Sequence, residues 1–289
     1  MTVAKKFTLN DLRAARASGR KVPMLTCYDY TMATLADRAH VPALLVGDSA
    51  ANVILGHAST VSAPLDFMIE ITAAVRRGAP NCLLVADMPF GSYHASTPQG
   101  MRNVTRMVQL SGCDCVKLET SAGQARLVQR LSDAGVAVMV HLGLKPQSVG
   151  LLGGYQARGR SAAEADAIVR LAEKLTGCGA AAILLEAVPP EVSQAVVAAV
   201  DVPVIGCGAG PACHGHVVVT YDAIGWTPHR AKFVPLLSDL SGPMVESFQK
   251  YMQLVTDGVY PQPNQTYEMP AAEKESFLKL RKMSQEKQS

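Results

Sequence analysis

Aromatic residues make up only 5% of the 289-residue chain, and there is a single tryptophan. Any interior must therefore be filled by Val, Leu, Ile, Ala and Met, which the 48% hydrophobic content supplies in quantity. Charge of one sign is missing too. The 27 basic and 24 acidic residues leave a formal net charge of +3 with no basic block, which argues against nucleic acid as the main partner. No apolar run is long enough to span a membrane, and Met1-Thr2-Val3-Ala4-Lys5-Lys6 leads into no apolar leader. The expectation is a soluble cytoplasmic protein with small-molecule partners. The seven cysteines are odd in number, and several, such as Cys82 and Cys115, lie inside apolar runs. That usage suits small buried residues in a reducing compartment better than a disulfide framework. Cys113 and Cys115 lack a second pair at zinc spacing, and nothing completes a ligand set around Cys213, His214 and His216.

What is present is a recurring unit. Ala43-Leu44-Leu45-Val46 runs into Gly47-Asp48-Ser49, and the segment from Cys82 ends on Asp87. Cys113 to Glu119 ends with Lys117 and Glu119, Ala137 to Leu144 carries His141, and Ala181 to Glu186 ends on Glu186. Continuous apolar runs of this length suit strands covered on both faces, as in parallel sheets. Helical patterns separate them, and each strand delivers a reactive side chain at its C-terminal end. That is how a (β/α)8 barrel of the TIM type collects an active site on one face, and 289 residues is close to the roughly 250 typical of one such domain. The remaining strands are expected at Val22–Asp29, Val202–Gly206 and Val217–Asp222, the last with a competing helical reading. One α/β domain over residues 1–289 is expected. A capped helix at about 8–19 plugs the barrel, a helical extension covers about 243–257, and a charged tail follows from about 271. Thr97 is expected to cap the helix that Pro98 opens, and Ser161-Ala162-Ala163-Glu164 to form a capping box.

Asp48, Asp87 and Glu119 end three successive strands, and neighbouring strands lie roughly 5 Å apart, so the three carboxylates can converge on one ion. Hard oxygen donors without His or Cys suit Mg²⁺, which takes one or two carboxylates plus substrate oxygens. Lys117 shares a strand face with Glu119, and a lysine between Val116 and Leu118 requires a carboxylate partner, either Glu119 or an anionic substrate; the substrate is preferred. Glu186 sits among apolar neighbours, which raises a carboxyl pKa toward that of a base useful near neutrality. His141 is read as a substrate-binding or supporting residue. Gly206-Cys207-Gly208-Ala209-Gly210 falls where barrels often bind phosphate, although close packing explains it equally well. The Gly-rich stretch from Lys145 to Arg160 is too long for a plain connector, which favours a lid or ligand loop.

These segments resemble a known family. Val46-Gly47-Asp48-Ser49, Ala86-Asp87-Met88-Pro89-Phe90, Val116-Lys117-Leu118-Glu119, His141-Leu142-Gly143-Leu144, Pro146-Gln147-Ser148, Gly153-Gly154-Tyr155, Gly159-Arg160 and Leu185-Glu186 match, in order, motifs of ketopantoate hydroxymethyltransferase. The resemblance runs from about Lys21 to Gly258. It implies a homodecameric (β/α)8 barrel in pantothenate synthesis, which moves a hydroxymethyl group from 5,10-methylenetetrahydrofolate to 3-methyl-2-oxobutanoate. It also implies Mg²⁺ ligands at Asp48 and Asp87 with Glu119 nearby, binding of the 2-oxo acid by Ser49 and Lys117, and proton acceptance by Glu186. The loop from Lys145 to Arg160 is expected to close over the folate, with Arg158 or Arg160 near its acidic tail. Departures from the family pattern stand at Ala50-Ala51-Asn52, Cys207 and Cys213-His214-Gly215-His216. The competing enzyme reading is a Mg²⁺-dependent lyase or mutase of the phosphoenolpyruvate mutase and isocitrate lyase group, whose Lys-Lys-Cys-Gly-His loop does not occur here. A scaffolding barrel without activity would have lost its metal and base residues, and all are present.

Overall fold

Runs of four to six residues, most of them buried on both faces, form the inner ring of the molecule. A computed structural model describes residues 5–228 and 230–286. The strands are β1 (Val22–Thr26), β2 (Ala43–Val46), β3 (Leu83–Asp87), β4 (Cys115–Glu119), β5 (Val138–Gly143), β6 (Ala182–Glu186), β7 (Val204–Cys207) and β8 (Gly215–Val218), and they close in chain order into an all-parallel barrel. Closure pairs β8 with β1, Gly215 opposite Val22. A Cβ at Gly215 would stand 2.2 Å from the Val22 carbonyl oxygen, so the seam needs glycine there.

Alternation along the strands sorts side chains into two cores. Leu44, Val46, Leu84, Val116, Val140 and Ile183 point outward and pack against the helices. Leu45, Val85, Cys115, Met139, Leu184 and Ile205 point inward, closed at the N-terminal end by Leu12 and Ala15 of the helix Leu9–Ala17. This is the expected plug. Its Thr8 cap is reciprocal, Thr8 Oγ1 accepting from the Asp11 N–H and Asp11 Oδ2 accepting from the Thr8 N–H at 2.8 Å. The interior is aliphatic and sulfur-bearing, as the scarcity of aromatics requires.

Several boundaries differ from the sequence expectation. The first strand stops at Thr26, because Asp29 turns to cap the helix Tyr30–Arg38 by accepting from the Met32 N–H at 2.8 Å. Ser96, not Thr97, caps the helix Thr97–Ser111. The segment read as an eighth strand divides into β8 and a short helix, Thr220–Ala223. Ser161 does cap the helix Ala162–Gly177, but the Glu164 carboxylate pairs with Arg158 at 2.6 Å instead of turning back.

The chain divides into two compact units after Ser238. The second unit contains the helices Ser241–Thr256 and Ala271–Glu286, so the charged C-terminal segment is helical through Glu286. Phe248, Tyr251, Met252, Phe277 and Leu280 of this unit are exposed. All seven cysteines are free. No helix among the described residues is long and apolar enough to cross a membrane.

Candidate active site

The inward ladder of each strand changes from apolar to polar at its C-terminal end. Leu83 and Val85 lead to Asp87, Cys115 leads to Lys117 and Glu119, Met139 to His141, and Leu184 to Glu186. Period-two geometry therefore stacks a charged layer on the aliphatic one. Asp48 follows from the turn after β2, where its N–H donates to Asp87 Oδ2 at 3.0 Å. A Cβ at Gly47 would lie 2.8 Å from Ser49 Oγ, so glycine there leaves room for the Ser49 hydroxyl. Asp48, Asp87, Lys117, His141 and Glu186 line a cavity of about 200 Å³ whose apolar wall includes Leu45, Leu184, Val217 and Val219, while Glu119 lies behind it.

A chain of contacts crosses the site. The Asp87↔Lys117 register of β3 and β4 brings Lys117 Nζ to 3.1 Å from Asp87 Oδ2. Glu119 lies two residues further along β4, about 7 Å at the usual rise, and the resting partner of Lys117 is Asp87. Lys117 Nζ is also 3.1 Å from His141 Nδ1. An ammonium only donates, so Nδ1 accepts and the proton of the neutral ring is on Nε2. That nitrogen lies 3.2 Å from Glu186 Oε2, without hydrogen-bond alignment. Burial, then the charge of Lys117, holds the His141 pKa well below its ordinary value, so the ring is neutral.

One lysine faces four carboxyl groups, and the electrostatics reflect the shortage of positive charge. Burial raises Asp48, opposed by Lys117. It pushes Asp87 up to about 7, Glu119 up to about 8 and Glu186 up to about 7. Lys117 is itself held above its ordinary value, because Asp87, Asp48 and Glu119 outweigh its desolvation. Glu186 differs from the other three acids in keeping 17% of its side chain exposed toward the cavity.

The donor set suits a hard divalent cation. Asp87 Oδ1 is buried without a hydrogen-bond partner among the described residues. No group of three or more His, Cys, Asp or Glu side chains among the described residues forms a ready cage. Two carboxylates, with waters and substrate oxygens completing the shell, are the arrangement Mg²⁺ accepts. Ser49 lines the cavity, its hydroxyl 2.8 Å from that of Tyr28.

Sequence reasoning missed Tyr93 and Gln147 as members of the site. Gln147 Nε2 donates to Asp48 Oδ2 at 2.7 Å, and its backbone N–H donates to both oxygens of Glu119 at 3.1 Å. The only hint was the Pro146-Gln147-Ser148 motif. The departures from the family pattern have structural explanations. Ala50 and Ala51 are buried in the core, while Asn52 lines the cavity and donates to the His57 carbonyl. His214 Nδ1 accepts the Val204 N–H at 3.0 Å, at the end of the barrel opposite the site. Gly208 has φ +66°, and a Cβ there would stand 2.5 Å from the Phe233 ring, so close packing explains that glycine.

A second, wider cavity of about 860 Å³ adjoins the first, sharing Tyr155, Glu186, Ala231 and Phe233 with it. Arg160 and Lys232 line it, whereas Arg158 is engaged with Glu164. The backbone between the cavities is held tightly. Ala187 adopts a left-handed φ of 47°, its N–H bonded to the Cys207 carbonyl at 2.8 Å and its carbonyl to the Arg158 N–H at 2.9 Å.

A closed parallel barrel that gathers an acidic layer, a buried lysine and a partly exposed carboxyl group at its C-terminal face has the architecture of a (β/α)8 enzyme. The solved structures it resembles show the same fold at low identity. A phosphoenolpyruvate phosphomutase from Streptomyces platensis subsp. rosaceus has a TM-score of 0.60 at 14% identity, covering 97% of this chain and 98% of that one. For 2,3-dimethylmalate lyase the TM-score is 0.57 at 17% identity, with coverage of 99% and 98%. A phosphonopyruvate hydrolase solved with oxalate and Mg²⁺ gives 0.55 at 14%, with coverage of 96% and 97%. Sequence relatives are nearer. The 3-methyl-2-oxobutanoate hydroxymethyltransferase of Heliobacterium modesticaldum is 40% identical, covering 92% of this chain and 97% of that protein. The Moorella thermoacetica protein of the same name is 42% identical, covering 90% and 97%. A family model for ketopantoate hydroxymethyltransferase matches residues 6–263. The chain belongs to the ketopantoate hydroxymethyltransferase family, and is thereby an enzyme that transfers a one-carbon unit.

Proposed function

We propose that the enzyme transfers a hydroxymethyl group from 5,10-methylenetetrahydrofolate to 3-methyl-2-oxobutanoate, forming ketopantoate for pantothenate synthesis in the cytoplasm. The observation that carries the reading is the facing pair of functions in one small cavity: an acidic, cation-ready wall at Asp48 and Asp87, and a buried base at Glu186. Asp48 and Asp87 would hold Mg²⁺, with Glu119 completing the acidic surround. When bound, the ion supplies Lewis acidity toward the 2-oxo acid. Lys117 and Ser49 orient the substrate carboxylate and keto group. Glu186 accepts the C3 proton beside the neutral His141 ring, whose Nε2 lies 3.2 Å from its Oε2. C3 then bonds to the one-carbon unit as both of that carbon's bonds to the folate, at N5 and N10, break. Water supplies the hydroxyl of the new group, its second proton and the one taken from C3 go to the two folate nitrogens, and tetrahydrofolate leaves. Turnover of 3-methyl-2-oxobutanoate and methylenetetrahydrofolate to ketopantoate, lost on chelation and restored by Mg²⁺, tests this reading; absence of product with added Mg²⁺ contradicts it.

The second cavity is the site we assign to the folate. Tyr155, Val188 and Phe233 offer apolar surface for its ring system, and Arg160 and Lys232 face its carboxylates. Neither cation forms an ion pair with a described residue, so both are available to the ligand. The Arg160→Ala, Lys232→Ala double variant is expected to raise the folate KM at least tenfold, the loss of a charge-assisted bond being worth about 1.5–3 kcal/mol. An unchanged KM in steady-state assays contradicts that assignment. The exposed apolar side chains of the second unit suit burial between copies of this chain in a homo-oligomer. Light scattering is expected to give a mass several times that of one chain.

A further inference from the structure

Gln147 is 5% exposed, and every polar atom of its side chain is engaged. Its Nε2 donates to Asp48 Oδ2 at 2.7 Å and to the Met88 carbonyl at 3.0 Å, while Oε1 faces the Tyr93 hydroxyl at 2.9 Å. Three partners agree on which way the amide points: the Asp48 carboxylate and the Met88 carbonyl only accept, and the Tyr93 hydroxyl has a hydrogen to give to Oε1. The hydroxyl has one hydrogen and accepts the Glu119 N–H at 3.1 Å. Its hydrogen goes to Gln147 Oε1, nearer than the Glu119 carbonyl at 3.2 Å. With the oxygen of the amide fixed toward Tyr93, the two hydrogens of Nε2 have Asp48 and Met88 as their acceptors. The reversed amide would set an oxygen against the Asp48 carboxylate. Asparagine is one methylene shorter, and glutamate would bring a fourth acid to the wall.

The geometry points to Gln147, oriented by Tyr93, as the positioning residue that presents Asp48 to a divalent cation. The inference rests on the metal reading above but goes beyond it, since neither Tyr93 nor Gln147 is a ligand. One oxygen of Asp48 is anchored by the amide, leaving the other to the cavity. The same residue fixes Glu119 through its backbone N–H, so the first turn of the 145–160 loop, Pro146–Ser148, is built onto the acidic wall. Partners that orient a metal ligand change metal affinity by about 10–100-fold when removed. Removing the hydroxyl loosens the bond to Asp48 that removing the amide abolishes, so the two losses should not multiply, the hydroxyl's further contact being with the backbone of Glu119.

The test is Mn²⁺ affinity by electron paramagnetic resonance on the full-length protein, in wild type, Tyr93→Phe, Gln147→Met and the double variant. The expected result is a Kd raised about tenfold or more in each single variant, with the double variant no worse than Gln147→Met alone. Unchanged Kd in the single variants, with only the melting temperature lowered, would show a purely structural role and overturn the inference. Multiplying effects in the double variant would also overturn it, since they would mean independent actions. Tyr93→Phe removes no atom that touches Asp48, so it decides the matter alone if Gln147→Met fails to fold. A wild-type protein that binds no Mn²⁺ would instead refute the metal reading, and the inference with it.

Discussion

Turnover falls by about two to four orders of magnitude in Glu186→Gln, the usual contribution of a positioned general base, while the fold stays intact. The amide keeps the size of the side chain and loses only the ability to take a proton. Burial pushes the Glu186 pKa up to about 7, which fixes the sign of the pH dependence. Below that value the carboxyl holds its own proton and cannot accept another; above it the base is free. In wild type, kcat/KM is therefore expected to rise with pH through about 7 and then level. A profile that stays flat down to the ordinary carboxylate range would contradict both the burial argument and the role of Glu186.

The second large effect concerns stability. Lys117 is the cation of the charged layer, 5% exposed and 3.1 Å from Asp87. Lys117→Met leaves Asp87, Asp48 and Glu119 facing one another in the barrel mouth. Removing one member of a buried pair costs about 3–5 kcal/mol, because the remaining charge stays desolvated. Urea denaturation of the metal-free protein is expected to show a loss of that size, and Asp87→Asn in the Lys117→Met background should recover part of it. A loss within about 0.5 kcal/mol, the range of an ordinary surface substitution, would mean that the pair is not holding the wall together.

The sequence made the strand layer legible because two periodicities coincide there. Continuous apolar runs announce strands buried on both faces, and the first polar residue on the inward face marks the barrel mouth, as at Asp87, Lys117, His141 and Glu186. What a strand pattern cannot carry is register. Nothing in Val116-Lys117-Leu118-Glu119 indicates that Lys117 would sit beside Asp87 of the neighbouring strand instead of meeting Glu119. Residues on connections were harder still. Tyr93 and Gln147 lie in segments without a period and are 54 positions apart, yet they share a hydrogen bond. The eighth strand, expected with a competing helical reading, gives way to a helix after Val218: Val217-Val218-Val219 continues the β-branched composition of a strand, while the turn at Thr220 is fixed by distant partners, its N–H donating to Thr26 Oγ1 and its own hydroxyl to the Thr26 carbonyl.

The central claim is that this cavity removes the C3 proton of a 2-oxo acid by means of its own base. Proton NMR of 3-methyl-2-oxobutanoate in D₂O, with enzyme and Mg²⁺ and no folate, tests it most directly. Deuterium is predicted to replace the C3 proton in a Mg²⁺-dependent manner, to fail to do so with Glu186→Gln, and to be followed by ketopantoate once methylenetetrahydrofolate is added. An undiminished C3 signal alongside active turnover would contradict proton removal ahead of the donor. Exchange that persisted in Glu186→Gln would move the base to another residue of the site.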